Sequence, residues 1–162
     1  MIKPADLFFT TSGSIFSRVV QKRTWGKFSH VQIIVQVVEA ADKRIIDVIS
    51  ADAEGVTLRA VRDHELKNYE ILTCPEMFPQ ERNDVVKFCF QQIGKPYDLV
   101  GLGSFLLYKE MQNDSKWFCS ELVYVAYKQA GVRLLRRVKQ DFVSPRDLYI
   151  SPLLMPIEGR LP

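Results

Sequence analysis

The chain has 162 residues, 47% of them apolar and 25% charged, with a net charge of +3. That size and balance suit one soluble globular domain spanning 1–162 and exclude a disordered or fibrous chain. The mild positive charge leaves room for an anionic ligand but gives no reason to expect a nucleic-acid partner.

The N-terminal MIKPADLFFTTSGS lacks a basic leader and a long apolar run. No signal peptide or membrane span is expected, and the expected location is cytoplasmic. DLFF (6–9) reads as a first strand. TTSGS is a turn that can start a helix near Ile15, with Arg18, Lys22 and Arg23 toward water. In SHVQIIVQVVEA, Val31, Ile33, Val35 and Val37 alternate with His30, Gln32 and Gln36, the pattern of a strand. KRIIDVISAD follows as its hairpin partner. GVTLRAV (55–61) and YEILTC (69–74) read as further strands.

The second half turns helical. PQERNDVVKFCFQQIG (79–94) reads as a helix with Val85, Val86, Phe88, Cys89, Phe90 and Ile93 as its apolar residues and a glycine stop. DLVGLGSFLLYKEM (98–111) reads as an apolar helix weakened by two glycines. KWFCSELVYVAYKQAG carries a helix over about 117–130. SPRDLYIS carries a short one, with Ser144 as cap and Pro145 at its first position. The tail, with Pro152, Pro156 and Pro162, is expected to be irregular. Strands early and helices late indicate an α+β fold.

Of the three cysteines (Cys74, Cys89, Cys119), no pair has CxxC spacing. A disulfide framework is excluded. With two histidines in the chain, no structural zinc and no other cofactor are expected. Cys89 sits between Phe88 and Phe90 and reads as packing, and Cys74 ends a strand before Pro75. Cys119 lies in the first turn of a helix whose stripe is Cys119, Val123, Ala126 and Ala130. Unpaired N–H groups and partial positive charge at a helix start favour a thiolate, and can hold the oxyanion of a tetrahedral intermediate. A thiol catalyst needs a base. His30 opens a strand, whereas His64 lies in the polar stretch VRDHELKN and reads as a solvated turn.

Taken together, ADLFF, FSHVQIIV, GKPYDLVG, WFCSELVYVAYKQAG and VSPRDLY resemble the circularly permuted, YiiX-like branch of the NlpC-type papain-like superfamily. The likeness runs from about residue 5 to 149. It implies a central antiparallel sheet packed against helices, with a histidine on an early strand and a nucleophilic cysteine at the start of a late helix. Cys119 and His30 occupy those positions. The lecithin:retinol acyltransferase-like enzymes share the permuted order, but Phe118-Cys119-Ser120-Glu121 fits the YiiX-like form better. Two positions depart from the pattern. The usual Gly-Asp of the first strand is Ala5-Asp6, and the acidic residue of a VIEA-like strand is replaced in VISA by Ser50.

A hairpin turning at 40–41 brings residues near 50–52 opposite His30. Ser50 is therefore the first candidate to orient the imidazole, Asp52 the second and Asp47 the third. The resemblance also suggests that Tyr97 and Asp98 of GKPYD line the cleft, unless Gly94-Lys95-Pro96 is simply a turn with Tyr97 packed under it. Trp117 joins them as a candidate substrate contact. Glu121 reads as a helix-start charge. The basic run RLLRRVKQ reads as solvated surface, so membrane contact has no support from it. Trp25, beside Lys22, Arg23 and Lys27, either flanks a substrate entrance or packs in the core.

The expected function is a thiol hydrolase of an amide or ester bond, acting on a peptide, amide or lipid-like substrate through an acyl-enzyme. Two rivals are an acyltransferase to an amine or lipid, with DLVGLGSFLLY as acyl pocket, and a binding module that has lost activity. The oligomeric state is open.

Overall fold

A computed structural model describes residues 1–11, 15–40, 43–62, 68–96, 117–136 and 143–160. In chain order the elements are β1 (Leu7–Thr10), α1 (Ile15–Thr24), β2 (His30–Ala40), β3 (Lys43–Asp52), β4 (Gly55–Arg62), β5 (Tyr69–Thr73), α2 (Pro79–Gln92), α3 (Cys119–Gln129), α4 (Pro145–Tyr149) and β6 (Met155–Arg160). The strands form one antiparallel sheet in the order β4-β3-β2-β1-β5-β6. The α+β class and the sheet packed on helices stand as read from the sequence. The apolar stretch 98–111 lies outside the described residues, as do His64, Tyr97 and Asp98.

Every residue of β1 is buried, as suits the four-residue LFFT placed inside the sheet between β2 and β5. One face of the sheet contributes Leu7, Phe9, Val31, Ile33, Ile49 and Ala51 to the main core, where they meet Val85 and Cys89 of α2 and Leu122, Val123 and Ala126 of α3. The opposite face gathers Phe8, Ile34, Ile46, Val48, Tyr69 and Ile71. Each large aliphatic side chain buried in this way stabilises the fold by roughly 1.5–3 kcal/mol relative to exposure.

Three sequence expectations need correction. Val37 does not share a face with Val31: a bulge between Ile34 and Gln36 shifts the register, so Val37 joins the opposite cluster. Phe90 and Ile93 of the second helical stretch are 43% and 41% exposed, while Arg82 and Gln92 are buried in their stead. The tail is not irregular, because β6 pairs with β5. Pro156 is tolerated there because β6 is an edge strand, where a missing N–H need not cost a ladder bond, and the pairing shifts register beside it.

The buried Arg82 explains how α2 meets β1. Its Nη1 pairs with Asp6 Oδ1 at 2.7 Å and donates to the Pro4 carbonyl at 2.9 Å, while Nη2 donates to the Cys74 carbonyl at 2.7 Å. Asp6 also accepts from the Lys3 N–H and the Thr73 hydroxyl. Beside it, the Tyr127 hydroxyl of α3 donates to the Ala5 carbonyl. Ala5 has φ +67°, in the left-handed region that favours glycine. That conformation accounts for the Gly-Asp which the resemblance leads one to expect at this place.

Gly55 opens β4 at φ +96°, and a Cβ there would lie 2.7 Å from the Lys95 carbonyl oxygen. The close approach lets Val56 N–H bond the Lys95 carbonyl and Gly94 N–H bond the Val56 carbonyl, each at 2.9 Å. The Gly94-Lys95-Pro96 segment is thereby held beside β4, and the Pro96 carbonyl in turn accepts from the Trp117 backbone N–H at 3.1 Å. Trp117, two residues before α3, is anchored to the sheet in this way.

Candidate active site

Cys119 is the first residue of α3 and is buried. Phe118 before it is extended, and the Glu121 carboxylate accepts from the Phe118 N–H at 3.5 Å, which closes the helix start from below. Ser120 donates its hydroxyl to the Val143 carbonyl at 2.6 Å and so ties α3 to the segment that leads into α4.

The sulfur of Cys119 meets β2 through backbone. Ile34 N–H points toward β1, donating to the Asp6 carbonyl. Alternation along the strand therefore turns Val31 N–H toward β3. The β2–β3 ladder ends at the pair Ile33–Ile49, and beyond it the Val31 N–H lies near enough to the Cys119 sulfur to lower its thiol pKa. The N–H groups of Cys119 and Ser120 and the Ser120 side chain act in the same sense. Alternation puts His30 and Ser50 on the sheet face of Ile34 and Val48, opposite the face that packs on α3, and among the described residues no hydrogen bond joins the Cys119 sulfur to the His30 ring.

His30 Nε2 lies 2.9 Å from Ser50 Oγ, and Ser50 Oγ donates to Asp52 Oδ2 at 3.3 Å. Asp52 is paired with Arg59 of β4 at 2.9 Å, and Arg59 also reaches Glu54. A hydroxyl carries one proton. If Ser50 spends it on the Asp52 carboxylate, it accepts from His30, which assigns the ring proton to Nε2 and leaves Nδ1 with a free lone pair. Asp47 does not take part. It stands three positions from Ser50, on the other face of β3, and accepts from the Gln36 side chain.

Electrostatically, the two groups rest neutral. Burial lowers the His30 pKa to about 4, with Asp52 pulling it up and Arg59 pushing it down. Burial pushes the Cys119 thiol up to about 11, and the surrounding N–H groups draw it part of the way back. At neutral pH the site therefore holds a thiol and an uncharged imidazole. Cys74 and Cys89 are buried too, with pKa values raised first by burial.

Trp117 is buried, with its ring edge-on to Phe88 and the Lys95 ammonium 5.7 Å from its centroid. Its indole Nε1 has no hydrogen-bond partner among the described residues. Trp25, by contrast, is 88% exposed and does not pack in the core. Sequence reasoning missed Arg59 and the Val31 N–H. The first enters through the register of β4 against β3. The second depends on where a distant helix docks.

Against known proteins, a family model described as "Permuted papain-like amidase enzyme, YaeF/YiiX, C92 family" matches residues 1–147. The chain belongs to this family. Members of the C92 family include the "Probable lipoprotein peptidase YaeF" of Escherichia coli (strain K12), which is similar to this chain with 24% identity over 178 residues. The match covers 91% of this chain and 62% of YaeF, so the chain spans less than two thirds of that relative's length. The crystal structure of metalloprotein yiiX from Escherichia coli O157:H7 shares the fold at a TM-score of 0.71 and 18% identity, covering 99% of this chain and 98% of that one. Among the described residues, no group of three or more His, Cys, Asp or Glu is arranged to hold a metal ion. Nor is any helix among them long and apolar enough to cross a membrane. Membership in an amidase family supports hydrolysis in general and sets the acyltransferase and binding-module readings behind it.

Proposed function

We propose that this C92-family chain is a thiol amidase or peptidase with Cys119 as nucleophile, His30 as general base and acid, and Ser50 orienting the imidazole. The observation that carries the reading is the end of the β2–β3 ladder. There His30 is pinned through Nε2 to Ser50 at 2.9 Å, and the N–H of Val31, next in the chain, lies near enough to the Cys119 sulfur to lower its thiol pKa.

In the proposed cycle, Cys119 Sγ attacks the carbonyl carbon of an amide while its proton passes to His30 Nδ1. A neutral resting pair suits this step, since the thiol needs a base and the imidazole is free to accept. The oxyanion is held by the Cys119 N–H at the helix start. The C–N bond then breaks as His30 returns the proton to the leaving nitrogen. Water, deprotonated by the same imidazole, attacks the thioester carbonyl, and as the C–S bond breaks and the acid leaves, the proton on His30 passes to the Cys119 sulfur. Asp52, held by Arg59, stabilises the imidazolium through Ser50 across one extra hydroxyl, a weaker arrangement than a carboxylate in direct contact. The unpartnered indole N–H of Trp117 is suited to donate to a substrate carbonyl. Tyr97 and Asp98 remain proposed contacts.

The substrate class is an amide of a peptide or of a lipid-bearing acyl group, as the name of the curated relative suggests. The test is hydrolysis of a panel of peptide and N-acyl amides. Cys119→Ala is expected to abolish turnover and His30→Ala to lower it by roughly 10²–10⁴-fold. Full activity in Cys119→Ala would overturn the reading.

A further inference from the structure

The turn that ends α1 carries a feature the site does not use. Trp25 is 88% exposed and has φ +53°, a left-handed conformation that is strained for a bulky side chain. A residue that costs conformational energy and buries almost nothing contributes little to folding. The turn is nevertheless firmly seated. Gln21 Nε2 donates to the Lys27 carbonyl, Gly26 N–H donates to the Gln21 carbonyl, and a Cβ on Gly26 would lie 3.1 Å from Arg146 Cβ of α4. Gly26, the residue after Trp25, therefore packs close to Arg146 of α4, and Ile150 one turn beyond Arg146 is 58% exposed.

Around this apolar tip the charge is positive. Lys22 and Arg146 are exposed, and Lys27 stands at the rim with its ammonium 3.5 Å from Glu70. The nearby carboxylates among the described residues are already engaged. Glu70 meets Lys27 and the Tyr149 hydroxyl, and Asp147 caps α4 through Ser144.

We propose that this surface docks on an anionic lipid bilayer, with the Trp25 indole inserted at headgroup level, Ile150 beside it, and Lys22 and Arg146 against the lipid phosphates. An exposed amphipathic ring with basic side chains close to it in the chain and in α4 fits the membrane interface, where indoles and basic side chains are both stabilised. It fits a protein partner less well, because a stable protein interface needs a broad patch of roughly 800 Å² on each side. His30 is five positions after Trp25, so at most about 18 Å of chain lies between them. Docking would thus hold the β2 end of the sheet close to the lipid surface. The proposal stands independently of the role assigned to Cys119.

The chain has two tryptophans, and Trp117 is 7% exposed, so a shift in emission on vesicle binding reports on Trp25. The full chain is mixed with vesicles of phosphatidylcholine, alone or with about 30% phosphatidylglycerol, and followed by fluorescence and co-sedimentation. A blue shift and binding are expected with the anionic vesicles only, and both are expected to fade in about 0.5 M salt. Trp25→Ala is expected to weaken partitioning roughly tenfold and Trp25→Phe to restore much of it. Lys22→Glu with Arg146→Glu is expected to weaken it at least roughly fivefold for each cation removed. Equal binding to neutral vesicles, no binding to either, or unchanged binding by Trp25→Ala would overturn the proposal. So would preferential binding of polyglutamate, or a self-association that Trp25→Ala abolishes.

Discussion

A histidine that is to take a proton from a thiol must be uncharged beforehand, and the neighbours of His30 arrange this. Burial lowers its pKa to about 4, Arg59 adds to that, and Asp52 opposes it. Removing each charge should therefore move the imidazole in opposite directions. In an NMR titration of the two histidines, Arg59→Ala is expected to raise the His30 pKa and Asp52→Asn to lower it. A His30 resonance titrating near 6.5 in the unaltered protein would contradict the site electrostatics. Much of this arrangement was legible in the sequence. The two-residue period of a strand puts Ser50 and Asp52 together, so hairpin arithmetic was enough to bring both to the His30 side. The Ser50–Asp52–Arg59 chain was not legible, because Arg59 enters through the register of β4. Nor was the place of the Val31 N–H, beyond the end of the ladder at Ile33.

At the level of elements, the junction of β1 with α2 rests on the buried pair Asp6–Arg82, whose charges were not singled out from the sequence. Arg82 sits on the core side of a helix that otherwise buries Val85 and Cys89. A helical period cannot show that an arginine in that stripe has a carboxylate and three other acceptors waiting. Arg82→Met would leave Asp6 buried without its cation. The expected loss is about 3–5 kcal/mol in urea-induced unfolding, and a loss under about 1 kcal/mol would mean that the pair is not the junction described. The helices themselves were legible from caps and spacing, Ser144 and Pro145 of α4 among them. The errors have local causes. Proline hid an edge strand in β6, and one bulge in β2 moved Val37 to the other face.

For the whole molecule, His30 and Cys119 each contribute a pH dependence of stability, one at either end. The fold refuses a proton that the unfolded chain binds at His30, so stability should fall as pH drops from 6.5 through about 4. At Cys119 the fold keeps a proton that the unfolded thiol gives up, so stability should fall as pH rises from 9 toward about 11. Thermal unfolding across pH should show a shallower acid limb in His30→Gln and a shallower alkaline limb in Cys119→Ser. Unchanged limbs would place the pH dependence elsewhere. The family likeness was visible in five short stretches because the fold needs each of them: β1 with Asp6, β2 with His30, the turn against Gly55, the start of α3, and the cap of α4. The coupling of a sulfur on one side of the chain to an imidazole on the other is tested most directly by iodoacetamide labelling at pH 7, followed residue by residue with peptide mass spectrometry. Cys119 is expected to react faster than Cys74 and Cys89, and at least roughly tenfold more slowly once His30 is replaced by alanine. Equal rates at the three cysteines, or a Cys119 rate indifferent to His30→Ala, would contradict it.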